Sequence, residues 1–238
     1  MLFRSVNGNL KYDWEPSPFQ DEAAAGLKRA LRSYGGSLLI AGSTHEGEEE
    51  ALFGIYPAIR RAYPRARLLI APRHLHRLPS IEKAAQKHGL DVRRITSDSY
   101  RALSENSEND VWVLDQVGVL ASLYESAELV FVGGSLVPVG GHNLVEPAFY
   151  SKPLLFGPYM QNFSQMAEEF KAHGAALQVA DAETLKREWE GALRDPKGLA
   201  SIGRKARQLV HRHQGATQKN EDWILSYADV KERSFARV

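Results

Sequence analysis

The chain has 238 residues, 43% of them hydrophobic and 25% charged, an ordinary balance for a soluble globule that can bury a core. Thirty basic and 29 acidic residues leave a formal net charge of +1, which gives no bulk electrostatic case for a nucleic-acid partner. There is no cysteine, so disulfides, thiolate nucleophiles and cysteine-based metal sites are excluded, and no apolar run approaches the roughly 20 residues that span a bilayer.

Residues 1–19 read as an irregular lead-in ending in Pro16 and Pro18; they lack the apolar stretch of a signal peptide, so an unexported chain is expected. Helical spacing at Ala24, Leu27 and Leu31 predicts a helix over 21–33, closed by Gly35 and Gly36. Short apolar runs then alternate with amphipathic segments. Strands are predicted at 37–42, 67–72, 91–95, 111–114, 129–132, 152–157 and 176–179. Helices are predicted at 46–63, 79–87, 118–126, 162–172, 182–194, 198–213 and 216–228, with a polar loop at 104–110. This alternation makes the fold class α/β, a Rossmann-like and mainly parallel sheet with helices on both faces. Ligands of such sheets bind beyond the carboxyl ends of the strands, so those ends are where function is sought.

The first strand ends in Ser43, Thr44 and His45, followed by Glu46, Gly47, Glu48, Glu49 and Glu50. Ser43 and Glu46 have capping-box spacing, and a carboxylate-rich first turn suits the positive end of a helix. Equally, Ser43, Thr44 and His45 stand at the mouth of the sheet, where a ligand group would sit. Consecutive glutamates would repel a phosphate placed on them, so an anion has to lie to one side. The second strand ends in Pro72, Arg73 and His74. Arg73 is either a solvated arginine or a bidentate clamp for a phosphate or carboxylate. His74 and His76 have strand-type spacing for two metal ligands, but no third ligand is near in sequence and no metal site is predicted. His211 and His213 fit the negative end of a helix. After the fourth strand, Gly118 either relieves crowding at a helix start or lets the backbone of Gly118, Val119 and Leu120 touch a base or sugar. Both readings stay open.

The most informative stretch is 133–147, GGSLVPVGGHNLVEP, directly after a predicted buried strand. Gly133, Gly134 and Ser135 form one flexible turn; Gly140 and Gly141 form another before His142 and Asn143. Glycines let backbone amides approach a ligand, and a helix N-terminus offers unpaired N–H groups to an anion. Asn143 is expected as the N-cap with Glu146 at N3, where its carboxylate would accept hydrogen bonds from sugar hydroxyls. The competing reading is a glycine-rich surface loop with an Asn–Glu capping box. Residues 157–163, including Asn162, end another strand and would close the same cleft. A nucleotide or nucleotide-sugar is the implied ligand. The first strand ends in AGSTHEG rather than G-x-G-x-x-G, which argues against a dinucleotide-dependent oxidoreductase.

Taken together, GNLKYD (8–13), AGSTHEGEEE (41–50), PRH (72–74), FVGGSLVPVGGHNLVEP (131–147) and FGPYMQNF (156–163) resemble the 3-deoxy-D-manno-octulosonic acid (Kdo) transferase family of lipopolysaccharide assembly, in order and approximate spacing. The resemblance implies the C-terminal, donor-binding half of a GT-B glycosyltransferase. Such an enzyme transfers Kdo from CMP-Kdo to the lipid A precursor at the cytoplasmic face of the bacterial inner membrane. It further implies CMP contacts from Pro72, Arg73, Gly118, Val119, Leu120, Asn143, Leu144, Val145 and Glu146. Arg73 would face the phosphate and Glu146 the ribose, without a metal or another cofactor. Ser43, His45, Gly133, Gly134, Ser135, Gly141, His142 and Asn162 would support that cleft.

The family's acceptor site, membrane-associating segment and acidic catalytic base belong to an N-terminal half for which this sequence has no counterpart. On this reading 1–19 is the interdomain segment, 20–214 the donor domain, and 215–238 a helix packing toward the other half. The chain alone is then expected in the cytoplasm, inactive in transfer. The alternatives are a UDP-sugar-dependent GT-B enzyme or epimerase, and a non-catalytic nucleotide-binding domain that partners a separate chain.

Overall fold

A computed structural model describes residues 8–99, 103 and 110–235. The first seven residues of the expected lead-in and positions 104–109 of the expected polar loop lie outside them. Among the described residues the strands are β1 (Ser37–Thr44), β2 (Ala66–Pro72), β3 (Asp91–Ile95), β4 (Asp110–Leu114), β5 (Leu129–Val132), β6 (Leu154–Phe156) and β7 (Leu177–Gln178). They form a seven-stranded sheet in the order β3-β4-β2-β1-β5-β6-β7, and every adjacent pair is parallel. The helices are α1 (Pro18–Ser33), α2 (Glu48–Ala62), α3 (Leu78–Lys87), α4 (Leu120–Leu123), α5 (Val145–Phe149), α6 (Ser164–Ala172), α7 (Ala182–Arg194), α8 (Pro196–His213) and α9 (Ala216–Phe235).

Strand alternation divides the core in two. Leu38 and Ile40 of β1 face a layer with Leu27 and Leu31 of α1, Phe170 of α6 and Leu209 of α8. Leu39 and Ala41 face Phe53 and Tyr56 of α2, Ile81 of α3 and Trp189 of α7. Helices therefore cover both faces, and the strands between them are apolar on both sides, as a parallel sheet requires. From β1 the chain crosses to β2 on one side, and from β5 to β6 on the other. The crevice between β1 and β5 is thus the topological switch point, where ligands of open α/β sheets bind.

Several boundaries move from their predicted places for local reasons. β1 continues to Thr44 through a bulge between Gly42 and Thr44, with Ser43 at φ 56°. The hydroxyl of Tyr124 lies so close to Gly42 that a Cβ there would be 2.1 Å from it. Helix α2 begins at Glu48, because Gly47 at φ 92° stands outside helical space. The helix predicted over 118–126 is short: α4 gives way to a 3-10 turn at Tyr124–Ser126.

The segment expected as an irregular lead-in is partly ordered and tied down. It contains a 3-10 turn at Leu10–Asp13 and the first residues of α1. The Tyr12 hydroxyl donates to Glu169 Oε2 at 2.9 Å, and the Tyr12 ring packs on His213 at 4.6 Å between centroids. The Asp13 carboxylate accepts from the amides of Gly215 (2.6 Å) and Thr217 at the start of α9. GNLKYD is thereby joined to α6, α8 and α9. Further along α9, Trp223, Ile224 and Leu225 are exposed. Among the described residues no helix is long and apolar enough to cross a membrane.

Candidate functional site

Glu48 organises the mouth of the sheet. Its carboxylate turns back from the first residue of α2 and accepts from the amides of His45 (2.9 Å), Gly134 (2.7 Å), Ser135 (3.0 Å) and Leu136 (2.9 Å). Three successive amides make a backbone nest of the kind that holds anions, and here the protein's own fully buried carboxylate fills it. The amides of Gly134 and Ser135, which the sequence suggested for a ligand, are therefore used internally. A Cβ on Gly133 would lie 2.6 Å from the Ser43 carbonyl oxygen, so the loop needs glycine to close on β1. Ser135 is buried as well. Its Oγ donates to the Val132 carbonyl and accepts from the Gly157 amide at 2.8 Å, joining the ends of β5 and β6.

The glutamate run does not form the predicted Ser43–Glu46 capping box. Glu46 is exposed, while Glu49 is buried and paired to Arg77 at 2.8 and 2.9 Å, with Thr44 Oγ1 donating to it at 2.8 Å. Glu50 lies on the surface beside His88 (3.2 Å) and Lys87 (3.7 Å). Each carboxylate of 48–50 thus has a nearby partner, and the anticipated repulsion of a phosphate is correspondingly smaller.

The second glycine pair is stapled from outside. Gly141 donates to the Gly134 carbonyl at 2.8 Å, and Asn162 donates its amide to Gly140 at 3.0 Å and its side chain to Val139 at 3.3 Å. Asn162 thus braces the loop. Gly140 and Gly141 adopt φ of 109° and 76°, and added Cβ atoms would strike Asn162 and Met160 at 2.3 and 2.2 Å.

Beside this frame lies a cleft of about 280 Å³ at the carboxyl ends of β1, β2 and β4. It gathers Ser43, Pro72, Arg73, Gly118, Leu120 and Glu146, all singled out from the sequence, and adds Trp14 and Gln116, which were not. Val119, Leu144 and Val145 point their side chains into the core, so they can meet a ligand through the main chain alone. The Val145 amide is already engaged by Asn143 Oδ1 at 3.1 Å. The predicted N-cap is displaced for this reason: the Asn143 side chain bonds two residues on, α5 begins at Val145, and Glu146 falls one position earlier in the helix than expected. Burial pushes the Glu146 carboxyl above its usual range, while Arg73 and a hydrogen bond from Asn143 pull it back. An acceptor carboxylate and a guanidinium therefore share one small cleft with the open main chain of Gly118 at φ 88°. A larger hollow of about 480 Å³ lined by Pro57, Arg60, Arg61 and His88 sits by the end of α2, at the amino ends of β2 and β3.

His45 and His142, singled out from the sequence, do not line this cleft but stand in a row of histidines close in the chain to its Ser43 and Arg73 ends. The Nε2 atoms of His45 and His142 are 2.8 Å apart, so one ring donates and the other accepts. His74 stands edge-on to His45 at 5.7 Å, and His76 stacks on His74 at 5.6 Å. Burial, then the neighbouring His45, Arg73 and His74, lowers His142 to about 4. His45 is lowered chiefly by burial and by His74, with Glu49 opposing. Among the described residues no group of three or more His, Asp or Glu is arranged to hold a metal ion.

No protein-family model matches the chain. It is 33% identical over 230 residues to a 3-deoxy-D-manno-octulosonic acid transferase of Bordetella pertussis, covering 92% of this chain and 52% of that protein. The corresponding protein of Haemophilus influenzae is 29% identical over 229 residues, covering 94% of this chain and 52% of that one. A bifunctional glycosyltransferase/methyltransferase of Fusobacterium nucleatum is 36% identical over 176 residues, 74% of this chain and 27% of that protein. The chain thus spans about half the length of the Bordetella and Haemophilus relatives, at 52% of each. Among solved structures, the C-terminal CMP-Kdo binding domain of WaaA from Acinetobacter baumannii matches with a TM-score of 0.69 at 25% identity. The match covers 81% of this chain and 97% of that one. Anabaena HepE in complex with UDP and glucose matches with a TM-score of 0.59 at 13% identity, over 93% of this chain and 55% of that one, a likeness of fold.

Proposed function

We infer the function of a chain that is a relative of the Kdo transferases and carries the Rossmann-like fold of a CMP-Kdo binding domain. It supplies donor recognition to a GT-B glycosyltransferase that moves Kdo from CMP-Kdo onto the lipid A precursor in lipopolysaccharide synthesis. The reading is carried by one observation: Arg73 after β2, Gly118 after β4 and Glu146 in the first turn of α5 share a single cleft beside the switch point.

In this proposal the Arg73 guanidinium takes the CMP phosphate bidentately and stabilises the charge that grows on it as the glycosidic bond to Kdo breaks. The Glu146 carboxylate accepts from the ribose hydroxyls, and Asn143 holds it in place. Gly118, lacking a side chain, lets the main chain of Gly118, Val119 and Leu120 approach the base. Ser43, His45 and His142 border the sugar end, while Glu48 and Asn162 keep the two loops in shape. Residues 20–214 form the donor domain. The lipid acceptor, the acidic base that deprotonates it and the contact with the cytoplasmic face of the inner membrane belong to the other half of such an enzyme, toward which α9 extends.

Calorimetric titration with CMP tests the assignment. Removing a charge-assisted hydrogen bond costs about 1.5–3 kcal/mol, so Arg73→Ala and Glu146→Ala should each weaken binding by roughly tenfold or more. Affinities equal to that of the unsubstituted chain in both variants would overturn the site.

A further inference from the structure

We propose that Trp14 is the stacking wall for the nucleobase in this cleft, an inference that rests on reading the cleft as a nucleotide site. Trp14 lines the same space as Arg73, Gly118 and Glu146, yet it arrives from far away in sequence. The 3-10 turn before it is fixed at both ends: Asn9 Oδ1 accepts from the Lys11 amide at 3.0 Å, and Asp13 accepts from the amides of Gly215 and Thr217. The indole then meets α5 edge-on, 5.5 Å from Phe149 and 6.5 Å from Tyr150 between ring centroids. Trp14 remains half-buried, whereas Trp112 and Trp189, whose work is packing, are enclosed in the core.

The chemistry of the walls divides the ligand. Arg73 and Glu146 offer charge, which suits a phosphate and ribose hydroxyls. Ala71, Leu120, Ala121 and the bare backbone of Gly118 offer small apolar surface and no charge. An aromatic ring set among such walls suits the flat, weakly polar part of a nucleotide, its base. Stacking is worth about 1–3 kcal/mol per base and tolerates any base, because each has a π face. Trp14 accordingly supplies affinity for the nucleoside without choosing between pyrimidines. It also ties nucleotide binding to the Leu10–Asp13 turn and so to the start of α9.

The test uses the full chain and three ligands: CMP, UMP and ribose 5-phosphate, which lacks the base. Trp14→Ala should weaken CMP and UMP alike, by roughly 5- to 150-fold, and leave ribose 5-phosphate within about twofold of the unsubstituted chain. Trp14→Phe, which keeps an aromatic face, should bind CMP within about fivefold. CMP should quench tryptophan emission in the unsubstituted chain and fail to do so in Trp14→Phe, since Trp112 and Trp189 are buried and Trp223 lies on α9. An equal loss of CMP and ribose 5-phosphate would mean that Trp14 only holds the fold together, and would overturn the proposal. So would unchanged CMP affinity in Trp14→Ala, or quenching that survives in Trp14→Phe. An unsubstituted, folded chain that binds none of the three would overturn the nucleotide reading itself, a failure visible before any variant is made.

Discussion

At the scale of single residues, burial and the neighbouring His45 give His142 a pH-dependent weight in folding. His142 is held near 4 in the fold against an ordinary 6.5, so between those values the unfolded chain binds a proton that the folded chain refuses. The folded state is therefore favoured less and less as pH falls through this window, and the effect flattens below about 4. Urea unfolding at pH 7.5, 6 and 5 should show stability falling on acidification, with a shallower fall in His142→Gln. An identical pH slope in the variant would remove His142 from the account. The same scale shows what a sequence can disclose. That Arg73 and Glu146 line a cleft could be anticipated because their chemistry is carried in their own side chains, Arg73 directly after β2 and Glu146 in the first turn of α5. Trp14 was not, because nothing in the lead-in says that its turn is tied to α6, α8 and α9 by Tyr12 and Asp13. Its signal was an aromatic residue directly after GNLKYD, in a segment read as irregular.

Elements were legible where burial writes a period, and illegible where long-range hydrogen bonds decide. The apolar runs of β1, β2, β4 and β5 show both faces covered, and the helices of the two layers show their stripes. The starts of α7 and α9 fall where expected, but that of α2 was misplaced. Ser43 and Glu46 have capping spacing, but α2 is set by Gly47 and by a carboxylate that binds amides 86 to 88 residues away. Local spacing contains no trace of that pairing. Its energetic weight gives a sharp expectation. Glu48→Ala would strand four amides, three of them in the loop after β5, and each buried unsatisfied donor costs about 1–3 kcal/mol. Denaturant unfolding should register a loss of at least about 3 kcal/mol, whereas Glu46→Ala, on the exposed turn, should stay within about 0.5 kcal/mol. Equal small effects for the two would mean that the nest does not organise the loop.

For the whole molecule, the sheet order explains why the informative motifs are scattered along the chain yet meet in space. β1 and β5 are adjacent at the switch point, so the loops that follow them face each other, and β2 and β4 bring Arg73 and Gly118 alongside. The alternation of strands and helices made this layout predictable as a class. The pairing of β3 with β4 outside β2, and the docking of the 3-10 turn on α6, α8 and the start of α9, rest on contacts that no local pattern carries. At the far end α9 leaves Trp223, Ile224 and Leu225 exposed at 45%, 59% and 64%. Donor recognition is the central claim, and titration calorimetry of the unsubstituted chain with CMP and UDP tests it most directly. The account predicts saturable binding of CMP at one site, tighter than that of UDP. A folded chain that shows no saturable CMP binding, or that binds UDP as tightly as CMP, would contradict it.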